Sequence, residues 1–118
     1  MLTISEPERQ PLPPRRVPRY SAYEHKHADE WMPLARTVGW PEAELPKLSY
    51  VIWRESRGDP AAHNTEDPTR FGSRGLTQLN GFWCRRLDLE CDRLWEPAYN
   101  LSAALAVWHL SGWSPWAL

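Results

Sequence analysis

Val51-Ile52-Trp53-Arg54-Glu55-Ser56-Arg57-Gly58-Asp59-Pro60 reads as the end of a helix with a carboxylate in an unusual place. Leu48, Val51, Ile52 and Glu55 recur at i, i+3, i+4 and i+7, so they share one helix face. Three of the four are aliphatic and require a core, and the fourth leads a carboxylate along the same stripe. Gly58 offers a left-handed stop and Pro60 bars continuation. A Glu on the last turn of a half-buried face has two causes for a raised pKa: desolvation and the negative end of the helix dipole. A carboxyl that stays protonated near neutral pH serves as a general acid. Spacing alone also describes a solvated border carboxylate, which is the commoner case on amphipathic helices. The rest of the chain has to decide between the two.

The 118 residues predict one domain with a modest core. A net charge of −1 gives no electrostatic case for nucleic acid or an acidic membrane surface. No apolar run is long enough to span a bilayer. Met1-Leu2-Thr3-Ile4-Ser5-Glu6-Pro7 has neither a basic start nor an apolar core, so no secretory signal is visible. Eight Trp is a heavy load for this length. Some must fill the core, and their broad rigid faces weakly favour a glycan, peptide or small-molecule groove. Cys84 and Cys91 have no His nearby and no further Cys, which argues against zinc. A short-loop disulfide and two reduced thiols both remain open.

Residues 1–22 hold five of the twelve prolines and four arginines without hydrophobic periodicity. Pro11-Leu12-Pro13-Pro14-Arg15-Arg16-Val17-Pro18-Arg19 is expected to be extended, a tether or disordered arm with the composition of an SH3-type ligand. The folded part begins near Tyr23, giving two segments, 1–22 and 23–118. Trp31, Leu34, Ala35 and Val38 form a first helical stripe, with Pro33 in its first turn and Gly39-Trp40-Pro41 closing it. A second helix runs from about Pro46 to Arg57. Residues 58–73 are polar and irregular, a long loop with room for a short hairpin. A third helix is expected from Gly75 or Leu76 through Arg86, with Leu76, Leu79 and Trp83 on one side and Phe82 a candidate to join them. A fourth follows with Asn100 as N-cap and Leu101, Ala104, Leu105 and Trp108 as its stripe, stopped by Gly112. The tail Trp113-Ser114-Pro115-Trp116 is too aromatic for a free end and should pack back. The fold class expected is mainly α, α+β at most.

Three pieces together resemble one family. Glu55-Ser56-Arg57-Gly58-Asp59-Pro60-Ala61-Ala62-His63-Asn64 resembles the first motif of SLT-type lytic transglycosylases and goose-type lysozymes. Gly75-Leu76-Thr77-Gln78-Leu79-Asn80 resembles the Gly-Leu-x-Gln segment of that lysozyme-like superfamily. Pro97-Ala98-Tyr99-Asn100-Leu101-Ser102-Ala103-Ala104 resembles its Asn-capped helix, and Gly112-Trp113-Ser114-Pro115-Trp116 is similar to the ending of compact, phage-type members. The likeness covers roughly residues 28–118 and leaves the arm outside.

The resemblance implies a small lysozyme-like domain that cleaves the MurNAc-GlcNAc β-1,4 bond of peptidoglycan. It implies Glu55 as a single acid and then base, with attack by the sugar's own C6 hydroxyl giving a 1,6-anhydro product. No metal or cofactor is required. Gln78 is then a substrate or transition-state contact, its alternative being a Gln bonded to the loop. Ser56 orients Glu55 or caps the turn; Asn64 touches sugar or forms a turn. Tyr99 lines the groove floor or packs, and His63 reads as a loop residue. Glu66 and Asp67 are solvated loop charges, and the nearest carboxylates for activating water if a hydrolase is meant. Two departures stand out: the family's late Ala-Tyr-Asn-Ala-Gly motif has no true copy, and Thr77 stands where Met or Phe is usual, which would loosen a contact under the groove. The expected setting is the bacterial wall, reached by phage or virion delivery, and the expected state is a monomer. A lysozyme-type hydrolase and a non-catalytic peptidoglycan-binding or virion structural module are the alternatives.

Overall fold

The computed structural model describes residues 27–66 and 71–118. The proposed arm, and the start of the domain at Tyr23, lie outside the described residues. Within them the protein is a mainly helical small domain with one two-stranded hairpin.

Helix α1, Met32–Val38, follows a 3-10 turn over Asp29–Trp31 and carries Pro33 in its first turn. Gly39 closes it at φ 111°, a left-handed value that suits a residue without Cβ. Helix α2, Leu45–Ser56, places Pro46 in its first turn and buries Leu48, Val51 and Ile52 completely. Its left-handed end begins one residue earlier than expected, at Arg57 with φ 56°, and Gly58 continues it at φ 78°. A side chain at positive φ is strained, and Arg57 offsets that strain locally. Its guanidinium lies 3.9 Å from the Trp53 ring and donates to the Arg54 carbonyl and to the Trp53 carbonyl, which also accepts from the Arg57 N–H.

The long loop does contain a hairpin. Strand β1, His63–Asn64, runs antiparallel to β2, Ser73–Arg74, pairing His63 with Arg74 and Asn64 with Ser73.

The third helix is shorter than its apolar spacing implied. Helix α3 spans only Gly81–Arg86, with the Asn80 side chain accepting from the Phe82 N–H. Residues 75–78 form a turn instead, because Gly75 at φ 79° and Gln78 at φ 56° are both left-handed and cannot continue a right-handed helix. Leu76 and Leu79 are nevertheless fully buried, so a turn has supplied the spacing that looked helical. Phe82 does not join that face; it is 51 % exposed. Cys84 and Cys91 form a disulfide with Cα atoms 5.6 Å apart. Closing so short a loop contributes about 2 kcal/mol in the chain-entropy account.

Helix α4, Pro97–Ser111, begins before Asn100, which is therefore not its N-cap. Pro97 takes the first turn, where its missing N–H goes unneeded, and this moves Asn100 into the helix on its buried face. Leu101, Ala103, Ala104 and Val107 share that face, while Leu105 and Trp108 are half-buried at its border. The tail packs back as expected, through a 3-10 turn at Ser114–Trp116. Trp113 lies 5.5 Å from Trp40, and Trp40 5.5 Å from Trp108. The Trp40 indole donates to the Leu101 carbonyl at 2.9 Å, and the Trp113 indole to Glu44 at 2.8 Å. Trp40, Trp83, Trp113 and Trp116 are buried and the other four half-buried, so the Trp load serves the core more than an open stacking platform. Among the described residues, no helix is long and apolar enough to cross a membrane.

Candidate active site

Glu55 sits on the last turn of α2, on the face whose preceding turns bury Leu48, Val51 and Ile52. Its side chain is only 9 % exposed. Burial pushes the carboxyl above its ordinary value, because the charged form loses water; Arg54 opposes this from 3.1 Å, favouring the carboxylate. Desolvation is the larger effect. Arg54 Nη2 carries two hydrogens, and it donates both to Glu55 Oε2 and to the Trp116 carbonyl.

Ser56 ties this helix end to the turn at residues 75–78. Its hydroxyl bonds the Leu76 carbonyl at 2.8 Å and the Ile52 carbonyl at 3.0 Å, and accepts from the Gly58 N–H. Only glycine fits at position 75: a Cβ there would lie 2.4 Å from the Leu94 carbonyl oxygen and 2.5 Å from Asn100 Nδ2. Gln78 is 3 % exposed, and its amide nitrogen donates to the Ala62 carbonyl at 3.0 Å and the Gly75 carbonyl at 2.9 Å. The Gly75 N–H also reaches Ala62 O, so the Glu55 loop and the Gly-Leu-Thr-Gln turn are joined twice at one carbonyl.

Asn100 organises the turn from beneath. It is fully buried; Oδ1 accepts from the Thr77 N–H at 3.1 Å and the Thr77 hydroxyl at 2.6 Å, and Nδ2 donates to the Arg74 and Leu94 carbonyls, both at 3.0 Å. Thr77 therefore does not loosen the contact under the turn: its hydroxyl replaces apolar packing with a buried hydrogen bond. From the other side the Trp116 indole donates to the Thr77 carbonyl at 2.9 Å. Trp116 thus holds the turn through its ring and Arg54 through its backbone.

The remaining sequence candidates lie in more open settings. Asn64 Oδ1 accepts from the Glu66 N–H at 3.0 Å, closing an Asx turn, and both residues are exposed. Asp67 lies outside the described residues. The Tyr99 hydroxyl accepts from the Glu90 N–H at 2.8 Å, and its ring lies 4.4 Å from the Arg93 guanidinium, so its contacts run to the segment that precedes α4. His63 bonds the Phe71 carbonyl and meets the Trp95 ring edge-on at 5.1 Å. Among the described residues, no three His, Cys, Asp or Glu side chains cluster to hold a metal ion. Sequence reasoning overlooked Arg54 and Trp116. The available signal was an arginine immediately before the stripe carboxylate, together with a tail already expected to pack back.

The direction of the Glu55 shift has a consequence for folding. The folded state holds the Glu55 proton more tightly than the unfolded chain does, so this group's contribution is fully present below the ordinary value of 4.5 and is lost as pH rises through the raised value. Glu55→Gln removes that loss. The melting temperatures of wild type and Glu55→Gln are expected to lie close together near pH 4 and to separate toward neutral pH, with the variant the more stable. Thermal melts across that range check it, and a constant difference between the two proteins would contradict a desolvated carboxyl.

Residues 32–118 match the family model of a lysozyme-like domain. No curated protein and no solved structure matches the chain.

Proposed function

The chain belongs to the lysozyme-like domain family, and from that membership we propose that it is a peptidoglycan lytic transglycosylase with Glu55 as its single acid and base. Membership alone carries the coarser part, a peptidoglycan-degrading activity on the glycan strand. The assignment of Glu55 as the acid rests on one observation. The carboxyl at the family's Glu-Ser motif is 9 % exposed and held above its ordinary value by desolvation, the state a proton donor to a poor leaving group requires.

In the proposed reaction Glu55 gives its proton to the oxygen that joins MurNAc C1 to GlcNAc. The bond from C1 to that oxygen breaks with oxocarbenium character at C1. The C6 hydroxyl oxygen of the same MurNAc then bonds to C1, and its proton passes to the Glu55 carboxylate. The acid is restored and no water is consumed. A nucleophile tethered to the reacting sugar removes the need for a second carboxylate to hold water. Glu66, exposed in its Asx turn, and Asp67 are the acids a hydrolase would have to recruit. In this reading Gln78 contacts the reacting sugar, Ser56 orients Glu55, Asn64 touches sugar and Tyr99 lines the groove floor. The substrate is the wall's glycan strand and the acting form a monomer. The disulfide suits an oxidising compartment, and the setting proposed is the bacterial wall, reached by phage or virion delivery.

Digested sacculi should yield anhydro-muropeptides as the main products, each lighter by one water than the hydrolytic product, and mass spectrometry separates the two. Dominant reducing-end muropeptides would make water the nucleophile and Glu66 and Asp67 the groups to mutate. Binding to sacculi without any soluble product would make the domain a non-catalytic wall-binding module.

A further inference from the structure

The late Ala-Tyr-Asn-Ala-Gly motif is absent, and the Trp-rich tail stands in its place. The contacts of that tail give it a defined task. Trp116 is fully buried, and it is joined to both halves of the site. Its indole donates to the carbonyl of Thr77, the residue before Gln78, and its own carbonyl accepts from Arg54. The other hydrogen of the same Arg54 nitrogen goes to Glu55 Oε2 at 3.1 Å. The Arg54 side chain is itself mostly covered, at 27 % exposure, and its guanidinium lies 5.8 Å from the Tyr50 ring one turn back on α2.

We propose that Arg54, anchored by the Trp116 carbonyl, is a positioning residue that fixes the Glu55 carboxyl group and stabilises its carboxylate once the proton has been given away. This rests on the reading of Glu55 as the acid. A lone carboxyl in an apolar setting makes a strong case for donating late and a poor one for letting go, since the ion left behind has no water. A guanidinium hydrogen-bonded to one oxygen lowers the cost of that ion and fixes the orientation of the group. The geometry also divides the work by charge. Among the described residues Arg54 brings its charge to Glu55, while the tail contributes a backbone carbonyl that holds Arg54. The anchor matters because a free arginine on a helix surface samples many rotamers. One whose terminal nitrogen is already held by a buried backbone presents its remaining hydrogen in a single direction.

The test compares wild type, Arg54→Met, Arg54→Lys and Glu55→Gln as full chains on a soluble, uncross-linked glycan strand, with initial rates measured from pH 4 to pH 9 and a melting temperature for each. Arg54→Met is expected to lower kcat at least about tenfold with KM little changed. The alkaline limb of its rate profile should move up, because a neighbouring cation that lowers the acid's pKa is gone. Arg54→Lys keeps a positive charge without the planar fork, so the limb should return to the wild-type position while only part of kcat recovers. An Arg54→Met profile with the wild-type limb overturns the proposal, and so does a loss of rate that follows melting temperature alone and is equal in Met and Lys variants. Glu55→Gln separates this failure from a deeper one. If Glu55→Gln is inactive and Arg54→Met is unaltered, only the role of Arg54 falls; if Glu55→Gln cleaves like wild type, the assignment of the acid falls with it.

Discussion

Glu55→Gln is expected to lower the rate of glycan cleavage by about a hundredfold or more while leaving the protein folded. The amide matches the carboxyl in shape, so the space on the α2 face stays filled and no cavity opens. Arg54 keeps an acceptor in the Trp116 carbonyl and meets the new amide oxygen where Oε2 stood. What disappears is the proton. A glycosidic oxygen leaves poorly as an alkoxide, and the described site holds no other carboxyl covered in the way Glu55 is. Rate loss combined with unchanged or increased stability at neutral pH is the signature of a group kept at some cost to the fold. Release of soluble fragments from purified sacculi, measured alongside a thermal melt, reads both quantities. Cleavage at the wild-type rate would remove Glu55 from the chemistry altogether.

How much of this was legible in the sequence varied with the kind of physics involved. Along residues 45–56 the aliphatic spacing, the proline in the first turn and the glycine beyond the end all pointed to one helix, and α2 follows them to within a residue. The carboxylate on its stripe was visible for the same reason, since burial of Leu48, Val51 and Ile52 carries position 55 with it. Residues 75–79 were read as helix because Leu76 and Leu79 sit three apart, a spacing that a turn with two buried leucines reproduces. Only the backbone at Gly75 and Gln78 distinguishes them, and Gln at positive φ leaves no trace in a hydrophobicity pattern. The contacts of Arg54 and Trp116 were hidden for another reason. They join residues 62 apart, and a backbone carbonyl has no side-chain identity to read.

Asn100 is the clearest case of a residue noticed for the wrong reason. An Asn ahead of an apolar stripe reads as a helix cap, yet Pro97 starts the helix a turn earlier and the Asn side chain points into the core. There it uses every hydrogen-bonding position it has: two donors to the Arg74 and Leu94 carbonyls, two acceptor sites filled by Thr77. Asn100→Asp is almost isosteric and should nonetheless be the most damaging conservative change in the domain. It replaces Nδ2 with an oxygen, which takes that donor from the buried Leu94 carbonyl, leaves the Arg74 carbonyl only the Leu79 N–H, and faces both with a third acceptor. The orphaned Leu94 carbonyl costs about 1–3 kcal/mol, and the introduced carboxyl must either ionise without water or take up a proton. A total loss on the order of 4 kcal/mol approaches the whole stability of a small domain. The sign of its pH dependence is distinctive. On acidification the new carboxyl gains a proton and can donate to one of the two carbonyls, so the variant should recover stability relative to wild type as pH falls. Urea unfolding of both proteins at pH 7 and pH 4 measures the gap and its change. A gap below about 1 kcal/mol at pH 7, or one that widens on acidification, would show that the four bonds at Asn100 do not hold the turn beneath Gln78.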